Sequence, residues 1–237
     1  MRGKLRKKLI NCFSEYITDH KKTLIEQVLD FRTRHITIAL EDIYQPQNAS
    51  AAVRTCDCFG IQDLHIIENK NTYTLNPKVV SGASKWVDLI YHSEEGDYNT
   101  LNCINSLKDN GYKIIGTSPN KLEKSIHEVD IHQKLVLLFG TELTGLSDEA
   151  IGHLDELVHI PMVGFTESYN LSVSVAICLS ILTQKLYASN IDWGLDKAEK
   201  EILRLAWYKK IVPRPEILEK EFLKQIDQSF EKGHKSR

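Results

Sequence analysis

Along residues 4–32, Leu5, Leu9, Ile10, Phe13 and Ile17, then Leu24, Ile25, Val28 and Leu29, recur at helical spacing between charged positions, which predicts two short amphipathic helices. From residue 35 the period changes. Short apolar runs at 35–40, 63–67, 87–91, 112–116 and 135–139 read as strands. The segments at 48–59, 77–85 and 98–108 read as helices, two of them closed by Gly60 and Gly111. A further strand at 158–162 leads towards a long apolar helix at 171–186. Strands alternating with helices specify an α/β fold, a mostly parallel sheet with helices on both faces. Past Asn190, charged amphipathic helices at 196–208 and 215–230 flank a proline turn at 212–215, and residues 231–237 read as a frayed end. The expected organisation is an N-terminal helical extension (1–34), an α/β domain (35–190) and a C-terminal helical extension (191–237).

In open parallel sheets, ligands bind beyond the carboxyl ends of the strands. Two such ends carry polar rims here. The run at 135–139 meets Gly140, where the backbone can approach a ligand closely, with Glu142 at the rim. The strand at 158–162 ends at Gly164, with Ser168 and Asn170 at the mouth of the long apolar helix. Gly140 and Gly145 have the spacing of a phosphate-binding loop, but Leu146 stands where that loop needs lysine, and no Gly-x-Gly-x-x-Gly follows any strand. Nucleoside-triphosphate and dinucleotide chemistry are therefore disfavoured. Asn48 falls at the start of the helix after the first strand, placed to cap free backbone N–H groups. Arg54 follows Ala49, Ala51, Ala52 and Val53, a small apolar neighbourhood in which an arginine is costly without an anionic partner. Glu142 reads either as an acid favoured near a helix N-terminus or as a group orienting Arg54 or a substrate. Ser168 and Asn170 read as helix caps, as crevice groups, or as both.

The segments 46–55 (Pro-Gln-Asn-Ala-Ser-Ala-Ala-Val-Arg-Thr), 137–145 (Leu-Leu-Phe-Gly-Thr-Glu-Leu-Thr-Gly) and 160–176 (Ile-Pro-Met-Val-Gly-Phe-Thr-Glu-Ser-Tyr-Asn-Leu-Ser-Val-Ser-Val-Ala) resemble the three motifs of the SPOUT methyltransferases, specifically the TrmH-like RNA ribose 2′-O-methyltransferases. The resemblance spans about residues 35–188, with the motifs in order and each on a strand-to-helix junction. It implies a C-terminal trefoil knot, S-adenosylmethionine bound in the knot, an RNA substrate and a homodimer. It implies Arg54 as the catalytic residue, with Asn48, Glu142, Ser168 and Asn170 around the reacting groups. The cofactor pocket it implies is formed by Thr117, Leu138, Phe139, Gly140, Ile160, Met162, Tyr169 and Leu171. Tyr169 departs from the leucine often found there, which bears on the fine shape of the pocket. Because a guanidinium is rarely deprotonated and its planar fork suits a phosphate, Arg54 is read as holding the RNA phosphate beside the target ribose, with that phosphate or a water accepting the proton. The forms Gln47-Asn48 and Glu167-Ser168-Tyr169-Asn170, with basic extensions at both ends, look more like the branch acting on a tRNA D-loop guanosine. An rRNA methyltransferase of the same family, or an RNA-binding protein that keeps the fold without catalysis, are the alternatives.

The net charge of −2 over 237 residues conceals an uneven distribution. Residues 1–34 hold nine Lys/Arg against four Asp/Glu and residues 196–237 eleven against eight, whereas the middle holds ten against twenty. Basic ends suit a polyanion, with Arg2, Lys4, Arg6, Lys7, Lys8, Arg32 and Arg34 the candidate RNA contacts. No apolar stretch follows the N-terminal basic residues, and the longest apolar helix is interrupted by Ser172, Ser174, Ser180 and Gln184. Neither a signal peptide nor a membrane span is expected, and a cytosolic location is. Five cysteines, Cys12, Cys56, Cys58, Cys103 and Cys178, lack disulfide-framework spacing and read as reduced and structural. The histidine pairs His127/His132 and His153/His159 read as surface residues, so no metal is expected. Trp86, Trp193 and Trp207 read as packing residues more than base-stacking ones.

Overall fold

The computed structural model describes residues 2–96, 98–120 and 123–234, with Arg2 and residues 227–234 described by backbone alone. It contains two compact units, one of Arg32–Gly194 and one of Met1–Phe31 with Leu195–Arg237. The larger unit holds a seven-stranded sheet in the order β3-β2-β1-β6-β4-β7-β5. Its strands are β1 (Ile36–Glu41), β2 (Asp63–Ile67), β3 (Asp88–His92), β4 (Lys113–Thr117), β5 (Lys124–Ser125), β6 (Leu135–Phe139) and β7 (Glu156–His159). Every pairing is parallel.

Alternation along the central strands divides the core in two. Ile36, Ile38 and Leu40 of β1 join Leu135, Leu137 and Phe139 of β6 in one core, shared with α3 (Pro46–Cys58) and α7 (Leu171–Tyr187). Ala39, Val136 and Leu138 turn to the other, shared with α5 (Asn99–Asp109) and α6 (Asp148–Ile151). The sheet is thus covered on both faces, as near-continuous apolar strands require. Cys56, Cys103 and Cys178 are buried and free, while Cys12 is partly exposed and Cys58 exposed. Burial pushes the Cys56 thiol up, Cys178 up to about 12, and, with Glu41 nearby, Cys103 up to about 12.

Several boundaries differ from the sequence pattern. The helix expected over 77–85 is split into α4 (Pro77–Val80) and a 3₁₀ turn at Ala83–Lys85, because Ser81 (φ 48°) and Gly82 (φ 81°) both adopt left-handed backbone. The strand expected over 158–162 lies at Glu156–His159; Pro161 has no N–H to give a ladder, so the chain leaves the sheet before it. At the other end of the chain α9 (Pro215–His234) continues past the expected frayed start at 231, and residues 235–237 lie outside the described residues.

Two residues expected to contact RNA have structural partners, and only Arg32 is closed off by burial. Arg32 is 1% exposed, ion-pairs with Asp57 and donates to the Ile61 carbonyl at 3.2 Å. It joins the start of the sheet to the end of α3 and is closed to an RNA. Arg34 spans β2 and β3, donating to Asp63 at 2.8 Å and Asp88 at 2.9 Å.

The smaller unit packs α1 (Arg2–Ser14), α2 (Asp19–Asp30), α8 (Lys197–Ile211) and α9 around buried Leu9, Phe13, Ile25, Leu29, Leu203 and Trp207. Its charges pair across the helices: Arg204 grips Glu26 with two bonds of 2.5 Å, Lys200 reaches Asp30 at 2.8 Å, and Lys209 reaches Glu219 at 2.6 Å. Of the candidate RNA contacts on α1, Lys4, Lys7 and Lys8 are exposed, Lys7 within 3.7 Å of Glu201, while Arg6 lies 3.5 Å from the Ala198 carbonyl. The side chain of Arg2 lies outside the described residues. No helix among the described residues is long and apolar enough to cross a membrane.

Removing one member of a buried ion pair strands the other, at a cost of about 3–5 kcal/mol when both are enclosed. Asp57 retains 29% side-chain exposure, so Arg32→Ala is expected to lower unfolding free energy by about 2–3 kcal/mol in a urea titration. Unchanged stability would remove the structural role given to Arg32.

Candidate active site

Four loops leave carboxyl ends of the sheet and meet around a cavity of about 540 Å³. Gln45 and Asn48 follow β1, Thr117 closes β4 and Ser118 follows it, residues 140–145 follow β6, and Ile160 to Leu171 follow β7. The volume is within the range of small-molecule sites.

The loop after β6 is a closed turn. Thr141 and Gly145 exchange backbone hydrogen bonds of 2.9 and 3.0 Å, and the Thr141 hydroxyl accepts from the Thr144 amide at 3.1 Å. This fold-back requires glycine at 140, where a Cβ would stand 2.1 Å from the Gly145 backbone. Beyond the turn, Ser147 caps α6 by accepting from the Ala150 amide, and the buried Glu41 at the end of β1 accepts from both the Ser147 amide (3.0 Å) and its hydroxyl (2.7 Å). Sequence reasoning missed Glu41. An acid closing an otherwise apolar strand was the available signal.

Asn48 is buried at the rim and fully used. It donates to Glu142 at 2.7 Å and to Gln45 at 3.1 Å, and its carbonyl oxygen accepts from Asn170 at 3.0 Å. The carbonyl oxygen of Asn170 in turn accepts from the Ser172 amide at 2.9 Å and hydroxyl at 2.6 Å, capping α7. Both readings of Asn170 therefore hold together. The capping reading of Asn48 does not: α3 starts earlier, with Gln45 as N-cap and Pro46 opening the first turn. Glu142 is not at a helix start either, since it lies in the 141–145 turn, and its bond goes to Asn48 rather than to Arg54.

Of the expected cofactor residues, Thr117, Phe139, Gly140, Ile160, Met162, Tyr169 and Leu171 line the cavity. Leu138 does not; its side chain turns into the α5 core, and it contributes a carbonyl that accepts from the Thr117 hydroxyl at 3.3 Å. Ser168 lines the cavity and is exposed. Arg54 is elsewhere. Its apolar neighbours Ala52 and Val53 face the core, while Arg54 is exposed on α3, lines no part of this cavity and makes no ion pair among the described residues. Of the apolar neighbourhood expected around it, Ala49, Ala52 and Val53 are buried on other sides of the helix.

Apolar walls from Phe139, Ile160, Met162 and Leu171 thus meet a close backbone turn at Gly140 and a polar rim of Asn48, Glu142, Ser168 and Asn170. Residues 35–180 match the SpoU rRNA Methylase family. The chain is 46% identical over 212 residues to the tRNA (guanosine(18)-2'-O)-methyltransferase of Borreliella burgdorferi, covering 90% of this chain and 95% of that one. It is 32% identical over 162 residues to the protein of the same name from Thermus thermophilus, covering 68% and 81% of the two. Among solved structures, the A. aeolicus TrmH/SpoU tRNA modifying enzyme aligns with a TM-score of 0.68 at 27% identity, over 80% of this chain and 96% of that one. The match extends through all four loops that build the cavity, and the chain belongs to the SpoU rRNA methylase family.

Proposed function

We propose that the chain is an S-adenosylmethionine-dependent RNA ribose 2′-O-methyltransferase acting on a guanosine of the tRNA D-loop; its relatives' name specifies guanosine 18 of tRNA. The observation that carries this is the hydrogen-bonded set Glu142–Asn48–Asn170, which gathers three separate chain segments at the rim of the Gly140 cavity. The cofactor supplies a methyl group activated on a sulfonium. Phe139, Gly140, Ile160, Met162, Tyr169 and Leu171, which line the cavity, would hold the cofactor. The homodimer and the trefoil knot go with the same reading. Supporting the knot, β6 and β7 enter late, between strands laid down earlier in the chain. Supporting the dimer, Leu143, Val163 and Phe165 stand almost fully exposed, and Val173 of α7 is 42% exposed.

A ribose hydroxyl becomes a nucleophile only as its proton leaves and the growing negative charge is stabilised. The guanidinium of Arg54 keeps its protons, so its part is to hold the phosphate beside the target ribose, and that phosphate or a water takes the proton. The exposed position of Arg54 suits a group that meets a macromolecule rather than the cofactor. Asn48 and Asn170 keep the rim in register, Glu142 anchors Asn48, and Ser168 faces the ribose. The exposed Lys4, Lys7 and Lys8 supply sequence-independent affinity for the polyanion.

Tritiated-methyl transfer from S-adenosylmethionine to tRNA and rRNA tests the reading: label is expected in tRNA, at a D-loop guanosine, and label in rRNA alone would replace it with the ribosomal alternative. In that assay Arg54→Ala is expected to cut turnover on the order of 10²–10³ with cofactor affinity retained, as for loss of a preorganised charge-stabilising donor. Arg54→Lys should recover little of it, because a point charge replaces a planar fork; wild-type turnover in the lysine variant would reduce the requirement to charge alone. Light scattering at micromolar concentration is expected to give twice the single-chain mass, and a single-chain mass would end the dimer proposal.

A further inference from the structure

Away from the cavity, three metal-ligating side chains from distant parts of the chain converge beneath α5. His65 of β2, His92 closing β3 and Cys103 of α5 place one ligand atom each within 4.8 Å of the other two. The facing ring nitrogens, Nδ1 of His65 and Nε2 of His92, are 3.1 Å apart, and the rings stack with centroids 5.4 Å apart. His65 lies two residues from Ile67, and His92 pairs with Ile67 in the parallel register, so all three share the sheet face that α5 covers. Among the described residues this is the set of histidine, cysteine and carboxylate groups with such spacing.

We propose that His65, His92 and Cys103 form a binding site for a zinc ion. Zinc held tetrahedrally at about 2.05 Å from nitrogen and 2.3 Å from sulfur requires the two nitrogens roughly 3.3 Å apart and each about 3.6 Å from the sulfur. The nitrogens already have that separation. The Cys103 sulfur, within 4.8 Å of both nitrogens, needs an approach of at most about 1.2 Å, within the reach of a rotation about its Cα–Cβ bond. A hydrogen bond between the two imidazoles explains their contact but gives no reason for a thiol at the third corner. The ligand set of two imidazoles and a sulfur selects a borderline or soft ion over magnesium or calcium. His65 and Cys103 are enclosed, whereas the half-buried His92 on the edge strand gives the ion a way in. On binding, the Cys103 thiol releases its proton to solvent and forms the metal–sulfur bond. The proton shared by the rings moves to an outward nitrogen, so that both facing lone pairs bind the ion. A water completes the fourth position.

The site would fasten α5 to the sheet edge. One turn before Cys103, the Thr100 hydroxyl donates to Glu41 at 2.8 Å, and Glu41 also holds Ser147 beyond the cofactor loop. The bound ion therefore acts as a clamp behind the active site and takes no part in methyl transfer.

The test uses full-length protein carrying C12S and C58S, which removes the accessible thiols, stripped of metal with a chelator and titrated with cobalt(II) and then zinc. Cobalt should give a thiolate-to-metal charge-transfer band that one equivalent of zinc abolishes, and zinc should raise the melting temperature. C103S should remove the band, and H92Q should weaken zinc binding by at least ~10-fold. H92Q changes an edge-strand position and keeps the test decisive if C103S does not fold. Absence of the band, a band that persists in C103S, or unchanged zinc affinity in H92Q would each overturn the proposal.

Discussion

Asn48 has one amide with two protons to give and one oxygen to offer, and all three are used, on Gln45, Glu142 and Asn170. Those partners come from the loop after β1, the turn after β6 and the start of α7, so a single buried side chain keeps three crossing segments in register. The arrangement is intolerant in a specific way. Aspartate is nearly the same shape but has no donor, and would set a second carboxylate against Glu142. Aliphatic replacements would leave Asn170 without the acceptor it uses now, a cost of order 1–3 kcal/mol if water cannot substitute. The arrangement of the rim depends on this amide, which joins Gln45, Glu142 and Asn170 through one side chain.

Behind the rim, a second polar tie does comparable work from the interior. Glu41 ends β1 as a buried carboxylate, satisfied by Thr100 and by both donors of Ser147. It fixes the far end of the turn whose near end is fixed by the close approach at Gly140. The cradle is thus pinned at two points by backbone geometry and hydrogen bonds to a buried carboxylate, and its walls are apolar side chains from the end of β6, the segment after β7 and the start of α7.

Much of this architecture was legible in the sequence because the central strands are buried on both sides and so read as uninterrupted apolar runs; β2 and β6 fall where the pattern puts them, at 63–67 and 135–139. What the pattern missed has physical causes. β5 is two polar residues long, too short to carry a period, and α6 is a single turn held by its cap. The burial of Arg32 was hidden because its partner Asp57 lies 25 residues on, and charge counted along the chain cannot tell a paired arginine from a free one. The cavity residues were legible through the motif resemblance, while the outward position of Arg54 was not: apolar neighbours in sequence lie on other sides of a helix. The convergence of His65, His92 and Cys103 was equally invisible, since spacing within one segment says nothing about residues brought together by a sheet.

The order of strands also bears on how the chain comes into being. β1 lies between β2 and β6, and Ile36 pairs with Leu135, so one edge of the central strand stays open until residues 99 positions further on have been made. At synthesis rates of about 5–20 residues per second, that interval is on the order of 5–20 s. For that time an apolar strand has an unpaired edge, which is the condition under which nascent chains associate wrongly or recruit chaperones. The strand placement that brings the cavity loops together also makes the ribosome-bound chain wait for its own second half.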